Sequence, residues 1–201
     1  MSTVKKMLTH GNVFVRAISL WILCFMFLIV AWFVAYYFLP YEVLKGVFPS
    51  SYLPLGNSFL STFFAIFLFN LVVGCGFTVA ANLISAKSIP LGYLYPLVQV
   101  CLFGIFLGTN SFAISQGGRL FPGLTLVTGA GFYELTAYVL VAVATAKLTL
   151  WNQTALLGGN LERIKKMQEL ELKRAELFVL VFGVLLLLVA AIIEASGIMG
   201  A

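Results

Sequence analysis

The sequence predicts an all-α polytopic membrane protein: a helical bundle of five transmembrane helices plus one cytoplasmic amphipathic helix. Three observations carry that expectation. Only 9% of the 201 residues are charged and 62% are apolar, with a mean hydropathy of +1.06, so a soluble chain of this length would have too few polar side chains to face water. The apolar residues gather into five long runs, Ala17–Leu39, Phe59–Ile84, Leu91–Ser115, Gly123–Ala146 and Leu177–Ser196. Each reaches or exceeds the roughly 20 residues that a helix needs to cross a ~30 Å hydrocarbon core. The charges stand almost entirely at the ends of those runs.

The first run follows Lys5, Lys6 and Arg16, as the core of a secretion signal would. Its apolar stretch is longer than the roughly 7–15 residues of such a core, and no small-x-small cleavage site precedes Pro40, so it is expected to remain as a helix. Residues 1–16 then form a cytoplasmic N-terminal segment and 17–201 a single transmembrane helical domain. The outer loop Pro40–Ser58 carries Pro40, Pro49 and Pro54. Tyr41, Phe48 and Tyr52 favour the interface, so this loop is expected to lie across the membrane surface. A tight inner turn is expected around Lys87 between the second and third runs. The glycine-bearing segment Ser115–Pro122 links the third run to the fourth and reads as irregular backbone at membrane depth.

The charged segment Asn160–Glu176 precedes the fifth run. Asn160 suits an N-cap, and Leu161, Ile164, Met167 and Leu170 recur at helical spacing, while Glu162/Lys166 and Glu169/Lys173 form i,i+4 pairs in the favourable order. A cytoplasmic helix over 160–176 is therefore expected, either resting its apolar stripe on the bilayer or docking a cytoplasmic partner.

Orientation follows from the cations. With the N-terminus cytoplasmic, Lys5, Lys6, Arg16, Lys87, Lys147, Arg163, Lys165, Lys166, Lys173 and Arg174 lie inside and only Lys45 and Arg119 outside, as a positive-inside bias requires. Five crossings then leave the C-terminus external. This predicts a multi-pass protein of the cell membrane. The same bias accounts for the net charge of +5 without a nucleic-acid partner.

The polar residues inside the runs carry the functional information. A charged carboxylate deep in a bilayer costs at least ~2.5–3.5 kcal/mol, so such groups face protein or a watery cavity. Glu134 falls near the middle of the fourth run and Asn70 at a matching depth in the second, where the two are expected to hydrogen-bond directly or through one water. Glu194 and Asn110 share a level near the outer ends of the fifth and third runs, and Arg119 is the candidate outer ion-pair partner of Glu194.

These residues lie on stripes at helical spacing, often among small side chains: Asn70–Gly74–Phe77–Ala81, Gln99–Phe103–Phe106–Asn110, Ala130–Glu134–Ala137–Val141–Ala144 and Gly183–Leu187–Ala190–Glu194. Small residues admit a neighbouring helix and polar ones join to it, which marks these faces as inward. Gly104 and Gly108 add a GxxxG site. Phe132, Leu135, Val139 and Val143, opposite the Glu134 stripe, should meet lipid or another apolar protein surface.

Little supports catalysis. The chain has no aspartate, its single histidine is His10, and neither HExxH nor GxSxG occurs, so paired-aspartate, zinc-peptidase and serine-nucleophile chemistries lack their residues. Cys24, Cys75 and Cys101 fall within the runs and read as small packing residues, with no metal spacing. No cofactor is implied. Asn152-Gln153-Thr154 matches a glycosylation acceptor but lies on the inner side, where it reads as chance.

The segments Phe67-Leu68-Phe69-Asn70-Leu71-Val72-Val73-Gly74, Gly104-Ile105-Phe106-Leu107-Gly108-Thr109-Asn110, Gly131-Phe132-Tyr133-Glu134-Leu135 and Ala190-Ala191-Ile192-Ile193-Glu194-Ala195 together resemble successive signatures of the stage II sporulation protein M-like membrane proteins. The resemblance covers about residues 17–197. Ala130 stands where that family usually has a histidine before Gly131, which removes the basis for a His/Glu relay. The resemblance implies a scaffold: sporulating members act in a membrane complex with cell-wall-degrading partners. The expected function is an integral membrane scaffold or assembly component, partnered by the lipid bilayer and by other membrane or envelope proteins or a second copy of the chain. The alternative is a small transporter or permease subunit using the intramembrane Glu/Asn site.

Overall fold

The computed structural model describes residues 3–47, 58–112, 117–123, 129–155 and 159–200. A short helix α1 (Thr3–Leu8) leads into the long apolar helix α2 (Val13–Phe38), capped by the Asn12 side chain, which accepts from the Phe14 N–H. The chain returns through α3 (Phe59–Phe69), a π-helical turn (Asn70–Cys75) and α4 (Gly76–Asn82). A 3-10 turn (Leu91–Tyr93) then opens α5 (Leu94–Thr109). Next come α6 (Ala130–Thr145) and, after a second 3-10 turn (Met167–Glu169), α7 (Arg174–Met199).

Four helical stretches, Val13–Phe38, Phe59–Asn82, Leu91–Thr109 and Arg174–Met199, are long and apolar enough to cross a membrane. The remaining run, Gly123–Ala146, holds a shorter apolar helix among the described residues. Its helix α6 has 16 residues, about 24 Å at the helical rise, and begins at Ala130 rather than Gly123. Residues 124–128 lie outside the described set, as do the loop positions Phe48, Pro49, Tyr52 and Pro54 and residues 113–116. Helix α5 ends at Thr109, short of Ser115.

Helix α6 is the hub of the bundle. Residues on several of its faces are buried, from Leu135 and Ala137 through Thr145, because α2, α4, α5 and α7 all pack on it. A helix apolar all round is stable where protein surrounds it. Leu135, Val139 and Val143 join the cluster that includes Leu20, Cys24 and Leu28 of α2, and Phe132 meets the Trp21 ring at 5.7 Å. The apolar surface expected opposite Glu134 is thus α2 of the same chain.

Glycines set two of the helix contacts. A Cβ on Gly104 would stand 2.7 Å from the Leu28 carbonyl oxygen, and one on Gly108 would stand 2.8 Å from both Ala35 Cβ and the Trp32 carbonyl oxygen. The GxxxG pair therefore lets α5 lie directly on the α2 backbone. Gly183 does the same more loosely between α7 and α6, where an added Cβ would stand 3.2 Å from Leu140 Cβ and 3.3 Å from the Ala137 carbonyl oxygen.

The fold is not purely α-helical. At one end of the bundle, β1 (Ile84–Ala86), β2 (Ile89–Pro90), β3 (Trp151–Gln153) and β4 (Leu161–Arg163) form a small sheet in the order β2-β1-β3-β4, with β1 and β3 parallel and the outer pairs antiparallel. Lys87 and Ser88, with φ of 49° and 68°, make the two-residue turn of the β1–β2 hairpin. Left-handed backbone at both central positions matches the twist of paired strands.

The expected helix over 160–176 does not form. Leu161–Arg163 is strand β4, the Asn160 carbonyl accepts from Thr154, and Glu169 bonds the Lys166 N–H instead of Lys173. The i,i+4 pairs would each contribute only about 0.2–0.5 kcal/mol, too little to offset helix nucleation when β3 presents an edge that β4 completes.

Candidate functional site

Three polar assemblies sit along the bundle, and they divide the residues singled out by the sequence. The central one holds Glu134. Its Oε1 accepts a 2.8 Å hydrogen bond from the hydroxyl of Tyr138, one turn along α6. Tyr138 is 1% exposed and its ring lies on Gly74, where a Cβ would come within 2.5 Å of Tyr138 Cε1. The π-helical turn buries Gly74 and Cys75, and the Thr78 hydroxyl donates back to the Gly74 carbonyl at 2.8 Å. Tyr95 of α5 meets Tyr138 edge-on at 5.0 Å. Turns of this type recur at functional sites in helices.

Asn70 makes no direct hydrogen bond to Glu134 among the described residues. It opens the π-helical turn, and at this level Gly74 is the residue that meets α6, so the tyrosine on α6 supplies the donor instead. Glu194 of α7 lies within Coulombic reach of Glu134 and makes no hydrogen bond among the described residues.

The second assembly closes the far end. Asn110 is fully buried, adopts φ 54° as the cap of α5, and donates from Nδ2 to the Tyr41 hydroxyl at 2.6 Å. Asparagine tolerates this left-handed cap. Glu42 N–H donates to the Thr109 carbonyl and Leu44 N–H to Ser111 Oγ, so the described part of the loop after α2 is tied to the end of α5.

Arg119 does not pair with Glu194. Its guanidinium donates to the carbonyls of Ala35, Tyr36 and Leu39 and lies over the Tyr36 ring at 5.5 Å. Those carbonyls lie at the C-terminus of α2, where acceptors outnumber backbone donors and the helix dipole also favours a cation; Ala35 shares its oxygen with the Leu39 N–H.

The third assembly, at the sheet end, is one that the sequence did not single out. Arg16 and Glu176 form a 2.9 Å ion pair with both side chains 2% exposed, and Lys147 reaches the same Glu176 oxygen at 2.9 Å. Arg16 also donates to the carbonyls of His10, Gly11 and Val143. Beside it, buried Asn82 is fully used: Nδ2 donates to the Ala142 carbonyl and Thr145 Oγ1, each at 2.8 Å, and Oδ1 accepts from the Gly92 N–H at 3.1 Å. Asn152 accepts from Ser85 Oγ and the Ser88 N–H, so it secures the hairpin. A usable signal was present: Arg16 and Glu176 each sit at a helix start beside an apolar run, and Asn82 closes one.

Among the described residues no group of three or more His, Cys, Asp or Glu is placed to hold a metal ion, and the three cysteines are unpaired. The central assembly offers a carboxyl held by a phenol, an arrangement able to fix helix register or to carry one proton.

Compared with known proteins, the chain matches the family model described as stage II sporulation protein M over residues 13–196. No curated protein and no solved structure matches it. The matched stretch runs from the first residue of α2 to within the last turn of α7 and so includes all three polar assemblies. The chain is a membrane protein of the stage II sporulation protein M family.

Proposed function

We propose that the protein is a non-catalytic scaffold or assembly component of a membrane or envelope protein complex, multi-pass, with the sheet end in the cytoplasm. The observation carrying this reading is how the intramembrane polar groups are used. Asn82, Asn110 and Arg119 spend their hydrogen bonds on backbone and neighbouring side chains, and Glu134 on Tyr138. Neither the cavity at the sheet end nor the shallow groove on α2 is lined by Glu134. Such groups join helices without needing a permeant species. Family membership agrees with a membrane complex role, and the sheet end carries Arg16, Lys87, Lys147, Arg163 and Lys165, as a cytoplasmic face would.

The competing reading is a transporter subunit, favoured by the nearness of Glu194 to Glu134. Glu134→Gln separates the two. It keeps the acceptor for Tyr138 and removes the titratable proton, so a scaffold variant should fold and co-purify with the same chains in mild detergent as the wild type. Loss of cellular function with assembly and thermal stability intact would establish transport instead. Orientation is tested by cysteine labelling: residue 87 should react only from the cytoplasmic side, and labelling from outside would reject the proposed topology.

A further inference from the structure

The sheet end contains a cavity of about 290 Å³ between α1, the β1–β2 hairpin and the end of α6. Its polar lining includes Arg16, Lys147, Ser85, Ser88, Thr149 and Asn152. This places it at the small end of ligand sites, which run from ~300 Å³. Its charge is unbalanced. Glu176 Oε1 serves both Arg16 and Lys147, and its Oε2 accepts from the Lys173 N–H, so one carboxylate answers two cations. Lys165, whose Nζ donates to the Lys147 carbonyl, lies outside the lining. Glu162, opposite Asn152 in the sheet, is exposed and outside the lining.

The hydrogen-bonding capacity left over is also one-sided. Arg16 Nε is buried with no partner among the described residues. Asn152 uses its Oδ1 on Ser85 and Ser88, and neither its Nδ2 nor the Ser88 hydroxyl makes a hydrogen bond among the described residues. Lys147 is 31% exposed and retains a donor beyond its bonds to Glu176 and the Gly11 carbonyl. Excess cations and spare N–H and O–H donors around a small cavity call for an acceptor-rich anion.

We propose that this cavity binds a phosphate group, with Lys147 supplying charge and Asn152 Nδ2 and Ser88 Oγ supplying directed hydrogen bonds. An anionic lipid headgroup and a small soluble phosphate share this chemistry, and the position at the end of the apolar helices admits both.

The test uses the full chain in neutral detergent. Inorganic phosphate is titrated at constant ionic strength against a chloride control, and phosphatidic acid against phosphatidylcholine in mixed micelles, with thermal midpoint and retention in native mass spectrometry as readouts. Asn152→Asp keeps the acceptor that holds the hairpin but turns a carboxylate oxygen toward the anion. Lys147→Gln removes charge, and Lys87→Gln, on the exposed hairpin turn outside the lining, is the control.

Saturable binding weakened at least tenfold in Asn152→Asp and Lys147→Gln, but unchanged in Lys87→Gln, supports the site. Inorganic phosphate as the ligand points to a soluble source, and phosphatidic acid alone to a headgroup. Should Asn152→Asp fail to fold, Lys147→Gln decides. Absence of binding to both probes, equal binding by the lining variants and wild type, or equal loss in Lys87→Gln overturns the proposal.

Discussion

Removing the carboxylate of Glu176 should destabilise the bundle more than any other single polar change. Glu176 ties α7 to Arg16 of α2 at 2.9 Å and to Lys147 after α6 at 2.9 Å, so one side chain holds the ends of three helices. Taking one partner from a buried ion pair costs about 3–5 kcal/mol, because the other charge is left buried. Here the lower end applies: Arg16 keeps the His10, Gly11 and Val143 carbonyls, and Lys147 can turn to solvent. Glu176→Leu should therefore cost about 3 kcal/mol. Glu176→Gln should cost less, since its amide oxygen still accepts from Arg16 while its nitrogen faces the Lys173 N–H that Oε2 now accepts from. The double variant Arg16→Met/Glu176→Leu removes both charges and should recover most of the loss, as apolar replacement of whole buried pairs does. Trp21, Trp32 and Trp151 report unfolding by fluorescence in detergent. A Glu176→Leu protein as stable as wild type, or a double variant worse than both singles, would refute the assignment of this cluster as the main clasp.

Two further changes test the helix contacts. Gly108→Val should cost about 2 kcal/mol by overpacking and lower the thermal midpoint, because the Ala35 and Trp32 atoms it meets at 2.8 Å belong to the α2 backbone and its first side-chain carbon; Gly197→Ala, with open space around it, should leave the midpoint unchanged. Tyr138→Phe removes the donor to Glu134 and should cost about 1 kcal/mol, measured as the same midpoint shift, with Glu134→Gln smaller because its oxygen still accepts.

The parts of this fold legible in the sequence are those that hydropathy and small-residue spacing report directly. Long apolar runs announced helices, and Gly104/Gly108 announced a close helix contact, which is the one between α2 and α5. The sheet was hidden because its strands are two or three residues long, too short for an alternation to show, and because β1 begins at the last residue of an apolar run. Leu161, Ile164, Met167 and Leu170 do repeat at helical spacing, yet pairing with β3 prevails over a segment whose local helix preferences are weak. The central site was half legible. Glu134 stood out as a carboxyl in an apolar helix, whereas its partner was a tyrosine four residues away, which an apolar run conceals as one more aromatic.

The cations at the helix ends have two physical uses that a linear count merges. Arg16 and Lys147 both support a positive-inside reading, but in three dimensions they share Glu176, and Arg119, one of the two cations that reading counts as external, serves the C-terminus of α2. Arg119 and Arg16 do the same work at opposite ends of α2. One collects carbonyls at the helix C-terminus; the other collects the carbonyls of the turn before its start and the end of α6. Each is a guanidinium because several acceptors converge from different directions, which a planar fork of donors satisfies and a single ammonium does not. The long helix α2 is thus fastened at both ends to segments distant in sequence. Its C-terminal half rests on α5 through two glycines, and the fastened helices bury most of α6 from Leu135 to Thr145.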